Sequence, residues 1–194
     1  MIKVLKKHER SINIIIIGDG TLFDKAFSLT KSSGFVKNFT FLKSIPHNDV
    51  LNYYSNSDIY VSANTDGNLN VAFGQSALGA NTTADNNTAV GYAALNVNTT
   101  GAGNVAVGYL ALDANTTASS NTAIGQHALT DNTTGTENTA VGSGALGDNT
   151  TADYNVAMGV NALRLNTTGT RNTAVGSYAL DANTTTNDHT AVGY

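Results

Sequence analysis

From Asn70 to Tyr194 the apolar and polar positions follow one template, N-T-A-V-G-x-x-A-L-x-x-N-T-T-x-x-x, repeated every 17 residues without insertion or deletion. Seven full copies and the start of an eighth are present. Counted from the first Asn of each copy, glycine holds place five: Gly74, Gly91, Gly108, Gly125, Gly142, Gly159, Gly176 and Gly193. Alanine holds places three and eight, and leucine holds place nine: Leu78, Leu95, Leu112, Leu129, Leu146, Leu163 and Leu180. Place four is Val, Ile, Met or Phe. So short a unit cannot bury its own apolar face and must stack on its neighbours. The pattern predicts an all-β parallel β-roll, a β-solenoid of 17-residue coils with two short strands and two turns each. Place four and the leucines are its expected main apolar groups. With neighbouring coils about 4.8 Å apart, seven coils make a rod of roughly 34 Å.

The polar places complete the prediction. Glycine at place five permits positive φ or a close approach at a bend. Asn at place one (His189 in the last copy) and Asn-Thr-Thr at places twelve to fourteen suit turns, because Asn tolerates the left-handed region. Stacked in register, these amides can also form ladders between coils. Place fifteen alternates Ala84, Gly101, Ala118, Gly135, Ala152, Gly169, which points to growth by paired coils.

The first third has a different pattern. Ile2–Arg10 suits a short helix, and Ile14–Ile17 is a β-branched run, apolar on both faces, as in a parallel strand covered by helices. Gly18-Asp19-Gly20 turns into Thr21, the N-cap of a helix to about Lys31. Phe39–Leu42 is a second strand, residues 47–54 a further helix and Ile59–Val61 a third strand. This alternation predicts βαβ units, so a truncated Rossmann-like α/β fragment over residues 1–66 precedes the roll over residues 67–194.

IIIIGDG and FTFLKSIPHNDVLNYYSNSDIYVSAN place residues 2–72 in resemblance to the nucleotide-sugar-binding domain of GT-B glycosyltransferases, the retaining group 1 family. The resemblance implies that Gly18, Asp19 and Gly20 lie near a donor nucleotide-sugar, where amides at a helix start suit phosphate. It ends at Ala72-Phe73-Gly74-Gln75, where the family places a donor-binding glutamate and this chain begins its repeat. The acceptor domain is also missing, so glycosyl transfer by this chain is not expected, and no cofactor is expected. The repeat itself, as in Asn87-Thr88-Ala89-Val90-Gly91-Tyr92-Ala93-Ala94, resembles the head repeats of YadA-like trimeric autotransporter adhesins and repeats of phage and viral tail fibres. That resemblance implies a homotrimer at an extracellular surface or on a virion.

Charge narrows the choice. Residues 1–69 hold all seven lysines, whereas residues 70–194 carry two arginines against eight acidic residues. So acidic a roll is a poor partner for nucleic acid. Cysteine is absent, the four histidines show no paired spacing, and no apolar run approaches the roughly 20 residues that span a bilayer. No nucleophile-and-base set or acid pair recurs, so no catalytic constellation and no metal site is expected.

The variable places carry what differs between coils. Tyr92, Tyr109, Gln126, His127, Asn161, Arg164 and Tyr178 form the candidate binding surface, of a type that suits a host-surface glycan or protein receptor. The leading reading is a non-catalytic structural and adhesive fibre module. A nucleotide-sugar-binding glycosyltransferase fragment is the alternative. A third reading, ice binding, rests on the regular Thr pairs, although adjacent strand residues point to opposite faces.

Overall fold

A computed structural model describes the backbone of Ile14–Ile17, Ser28, Lys31, Phe39–Leu42, Ile59–Ala63 and residues 69–194, with side chains at Ser28, Lys31 and from Asn70 onward. The chain forms two compact units, Met1–Val50 and Leu51–Tyr194. In the first, β1 (Ile14–Ile17) and β2 (Phe39–Leu42) pair in parallel with Ile14 opposite Phe39. Ser28 and Lys31, within the expected second helix, are helical. The helices expected at 2–10 and 47–54, and the loop Gly18-Asp19-Gly20, lie outside the described residues.

The second unit holds a nine-stranded sheet. Its strands are β3 (Ile59–Ala63), β4 (Leu69–Phe73), β5 (Thr88–Val90), β6 (Val105–Val107), β7 (Thr122–Ile124), β8 (Thr139–Val141), β9 (Val156–Met158), β10 (Thr173–Val175) and β11 (Thr190–Val192). From β4 to β11 all neighbours are parallel and 17 residues apart, so that Ala72 faces Ala89 and Ala89 faces Ala106. The repeat period has become the step of a parallel β-solenoid.

The third strand of the first region departs from expectation. Rather than joining β1 and β2, β3 pairs antiparallel with β4 over five residue pairs, from Ile59↔Phe73 to Ala63↔Leu69. The connection explains this. Only residues 64–68 separate the two strands, which allows a hairpin, whereas a parallel crossover needs a dozen residues or more. The strand therefore covers the hydrogen-bonding edge of the first coil.

Each coil contains one strand, at places two to four, instead of two. Places five to twelve fold as overlapping turns: Ala77 N–H donates to the Gly74 carbonyl, Gly79 to Ser76 and Asn81 to Leu78. Places seven and nine sit at positive φ, with the leucines Leu78 to Leu180 at 50–53°. An alternation of negative and positive φ curls the chain inward and cannot form a second strand. The unfavourable conformation is offset by bonding to the next coil, as where Leu95 N–H donates to the Ala111 carbonyl.

The core consists of alanines at places three and eight, the leucines, and asparagines at places one and twelve. Place four is not part of it. Because place-three alanine points inward, places two and four point outward. Phe73, Ile124 and Met158 are 41–52% exposed, Val90, Val107, Val141 and Val175 are half-buried, and Val192 in the last, partial coil is exposed. Two methyl-sized places and one leucine fill the interior of each coil.

Glycine at place five is explained twice over. Gly108 has φ +141°, and a Cβ there would lie 2.5 Å from the carbonyl oxygen of Gly125 in the next coil. The alternation at place fifteen has a similar cause: a Cβ on Gly101 would meet the Ala118 carbonyl oxygen. Place sixteen follows the same two-coil rhythm. Ala102 N–H donates to Ser119 Oγ, Thr136 N–H to Asp153 Oδ1 and Thr170 N–H to Asn187 Oδ1, always from an even coil to the following odd one. The structural unit is two coils, 34 residues.

Candidate functional site

Exact stacking turns every place into a column, and the inner columns fix the outer ones. Asparagine at place twelve donates to the carbonyl of place fifteen in its own coil and to the amide oxygen of its equivalent in the preceding coil. Asn115 Nδ2 lies 3.0 Å from the Ala118 oxygen and 2.8 Å from Asn98 Oδ1. Asparagine at place one closes the coil by donating to the same place-fifteen carbonyl: Asn104 Nδ2 is 2.9 Å from the Ala118 oxygen. Its own oxygen accepts the backbone N–H of the next such residue, as where Asn121 N–H donates to Asn104 Oδ1. The expected ladders are present.

The expected left-handed turn geometry at these asparagines is absent, since both columns are buried and neither adopts positive φ. Place-thirteen threonines are also engaged, for example Thr99 Oγ1 donating to the Thr116 carbonyl at 3.0 Å. The Asn-Thr-Thr segment is thus part of the scaffold, with the place-fourteen threonines exposed in every coil and the place-thirteen threonines exposed only in the first and last full coils, at Thr82 and Thr184.

The candidate surface lies on the outer side of the turn region, at places six, seven and ten. Tyr92 and Tyr109 stack with centroids 5.4 Å apart and planes 14° from parallel, and His127 meets Tyr109 edge-on at 5.3 Å. These three rings make one aromatic ledge across three coils, with Gln126 exposed beside His127. Asn161 and Arg164 bracket a single turn, in which Arg164 N–H donates to the Asn161 carbonyl. Tyr178 is separate from the ledge and pairs edge-on with Tyr194 at 6.0 Å.

Electrostatic features are local. Asp113 accepts from Thr130 Oγ1 at 2.7 Å. Burial, then the neighbouring Asp148 and Asp113 carboxylates, raise the pKa of Asp131. Arg171 and Asp188 form a two-point ion pair at 2.6 and 3.0 Å, and the hydrogen bond from Arg171 lowers the pKa of Asp188. Among the described residues no group of three or more His, Asp or Glu is placed to hold a metal ion.

Sequence reasoning missed one surface, the outward face of the sheet at places two and four. The available signal was the alternation T-A-V itself, whose small middle residue marks the inward side.

The described part of the second unit is therefore a parallel β-solenoid of seven coils, a repeat architecture whose inner residues all serve stacking. Compared with known families, residues 1–82 match the group 1 glycosyl transferases. The match takes in β1 to β4 and ends within the first coil, at the place-thirteen Thr82. The resemblance of the first region to a GT-B fragment is thereby supported independently, and the two sequence types overlap at their join. Neither the curated proteins nor the solved structures contain a match to the chain.

Proposed function

We propose that this chain is a non-catalytic structural and adhesive module of a surface fibre or virion tail fibre. The stacked coils act as spacer, and the columns at places six, seven and ten face a host-surface glycan or protein. The observation that carries the reading is the division of labour within each coil: places one, three, five, eight, nine and twelve are held constant by burial or close approach, while side chains vary from coil to coil at the outer places six, seven, ten and eleven. A scaffold that fixes its interior and diversifies its outer columns fits display better than turnover. The aromatic ledge of Tyr92, Tyr109 and His127 offers ring faces of the kind on which sugar rings stack, and Gln126 adds an amide.

The functional form in this reading is a homotrimer at an extracellular surface or on a virion, without nucleic-acid or membrane-inserted partners. Light scattering on the full chain tests the trimer, with a mass three times that of the 20.1 kDa chain expected. Glycan-array binding tests display. Tyr92→Ser with Tyr109→Ser should abolish any signal carried by the ledge, and a signal unchanged by both substitutions removes the ledge from the reading.

The family match over residues 1–82 favours one second reading, a nucleotide-sugar-binding fragment. It predicts calorimetric binding of a UDP- or GDP-sugar that Asp19→Ala weakens. In the leading reading the same segment serves chiefly through β3, which covers the open edge of the first coil.

A further inference from the structure

Eight asparagines among the described residues head the tripeptide Asn-x-Thr, the acceptor sequence for transfer of an N-linked glycan. Seven are the place-twelve residues. The eighth is Asn86, in Asn86-Asn87-Thr88, at place seventeen of the first coil. The fold treats the two kinds oppositely. From Asn98 to Asn166 the place-twelve side chains are 0% exposed. Their Nδ2, the atom that transfer modifies, has both hydrogens engaged inside the solenoid: Asn149 Nδ2 donates to the Ala152 carbonyl at 3.1 Å and to Asn132 Oδ1 at 2.9 Å. At the two ends Asn81 and Asn183 are half-buried and keep the bond to place fifteen, at 3.0 and 3.1 Å. Asn86 is exposed, with φ 58°, and its side chain makes no hydrogen bond. The next residues of its column are the small Gly103 and Ser120.

The chemistry of transfer makes this difference decisive. Nδ2 bonds to C1 of a lipid-pyrophosphate-linked oligosaccharide while the bond from C1 to the pyrophosphate oxygen breaks. The lipid pyrophosphate departs, and one Nδ2 hydrogen leaves as a proton to the transferase. A glycosylated amide therefore keeps one hydrogen where place twelve needs two. Coils about 4.8 Å apart also leave no room for a sugar ring beside a buried amide. Neither constraint applies at Asn86.

We infer that Asn86 is the acceptor site for an N-linked glycan on the stacked solenoid, and that transfer at place twelve, which requires an unstacked chain, excludes the fold. The coils must then stack ahead of any compartment that glycosylates nascent chains, whichever surface the protein finally occupies.

Two experiments on the full chain test this, with occupancy read site by site by peptide mass spectrometry so that Asn38, outside the described residues, does not enter. In the first, folded protein from a bacterial cytosol is incubated with a single-subunit oligosaccharyltransferase and lipid-pyrophosphate-linked chitobiose. A glycan is expected at Asn86 and none from Asn98 to Asn166, and Asn86→Gln should lose the product. In the second, a cleavable secretion signal sends the chain through a glycosylating eukaryotic cell. The wild type should carry glycans at place twelve and show no cooperative melting. Thr100→Ala, with the same change at the other six place-fourteen threonines, removes those tripeptides but leaves every asparagine. These threonines are exposed and make no side-chain hydrogen bond, so this variant should be secreted folded and melt like the bacterial protein.

A glycan between Asn98 and Asn166 on the folded chain overturns the inference, as does an Asn86 left unmodified there. A secreted wild type that melts like the bacterial protein overturns it as well. Should the seven alanines disturb folding, the first experiment, on the unaltered chain, still decides.

Discussion

The most constrained residues of this protein are those whose neighbour is a copy of themselves. Gly108 combines positive φ with backbone contact to Gly125, so Gly108→Ala cannot be absorbed by side-chain movement and should cost about 3 kcal/mol or more, read by thermal melting. Asn115→Ala removes the donor to Asn98 Oδ1 inside the core and should cost about 2–3 kcal/mol, while Arg164→Ala, at an exposed outer place, should cost about 0.5 kcal/mol or less. The glycine, alanine and leucine places were legible in the sequence because each recurs where only one size or backbone conformation fits. The asparagine ladders were legible too, but the burial of these columns was not, since general rules assign Asn to solvent-facing turns. Their burial depends on an identical amide one coil away, and the only sign of it in the sequence is that Asn98 and Asn115 stay constant while neighbours at places ten and eleven change. Charge acts more weakly. The raised pKa of Asp131 means that the fold disfavours its charged form. That cost is fully present at pH 7 and vanishes as the carboxylate becomes protonated in folded and unfolded chains alike. Asp131→Asn should therefore raise the melting temperature at pH 7 by about 1–2 °C and make no difference near pH 3.

At the scale of the coil, period and parallel pairing were readable, whereas strand number and the inward side were not. Seventeen residues look long enough for two strands, but the leucines at φ 50–53° tighten the second half into turns. Place four has the side chains of a core position, and only the alternation around Ala89 or Ala106 shows that Val90 and Val107 face outward. The alternation at place fifteen was visible in the sequence, and its physical basis leads to a deletion test. Removing residues 121–154 joins Ala118 to a coil carrying Gly169, keeping the two-coil rhythm and the Thr170–Asn187 bond. Removing residues 121–137 alone deletes Thr136 and leaves the Asp153 carboxylate without its donors. The 34-residue deletion should melt within a few degrees of the full chain, as expected where stability is a sum of neighbour terms. The 17-residue deletion should melt lower despite being longer, and the order of the two melting curves is the test.

For the solenoid unit as a whole, the critical feature is its first edge. A stack of parallel strands presents an unpaired row of amides and carbonyls to any other strand, and such edges must be covered to avoid aggregation. Here β3 provides the cover, so a segment resembling part of a glycosyltransferase supports the neighbouring fold through backbone pairing. The sequence could mark Ile59–Val61 as a strand because β-branched and aromatic residues adjoin there, but its partner depended on the five residues before Leu69 and on the open edge that follows. The pairing makes a sharp prediction. Val71 N–H donates to Asn87 in the next coil, so the backbone groups of Asn70 and Ala72 face β3. Ser62 is the register partner of Asn70, and proline there removes a donor from the middle of that ladder. Ser62→Pro should expose the edge and produce concentration-dependent aggregation on mild heating, while the internal coils retain their hydrogen-exchange protection. Asp58→Pro, outside the paired residues, should leave both unchanged. Equal behaviour of the two variants would mean that β3 is dispensable, and that the first coil tolerates an open edge.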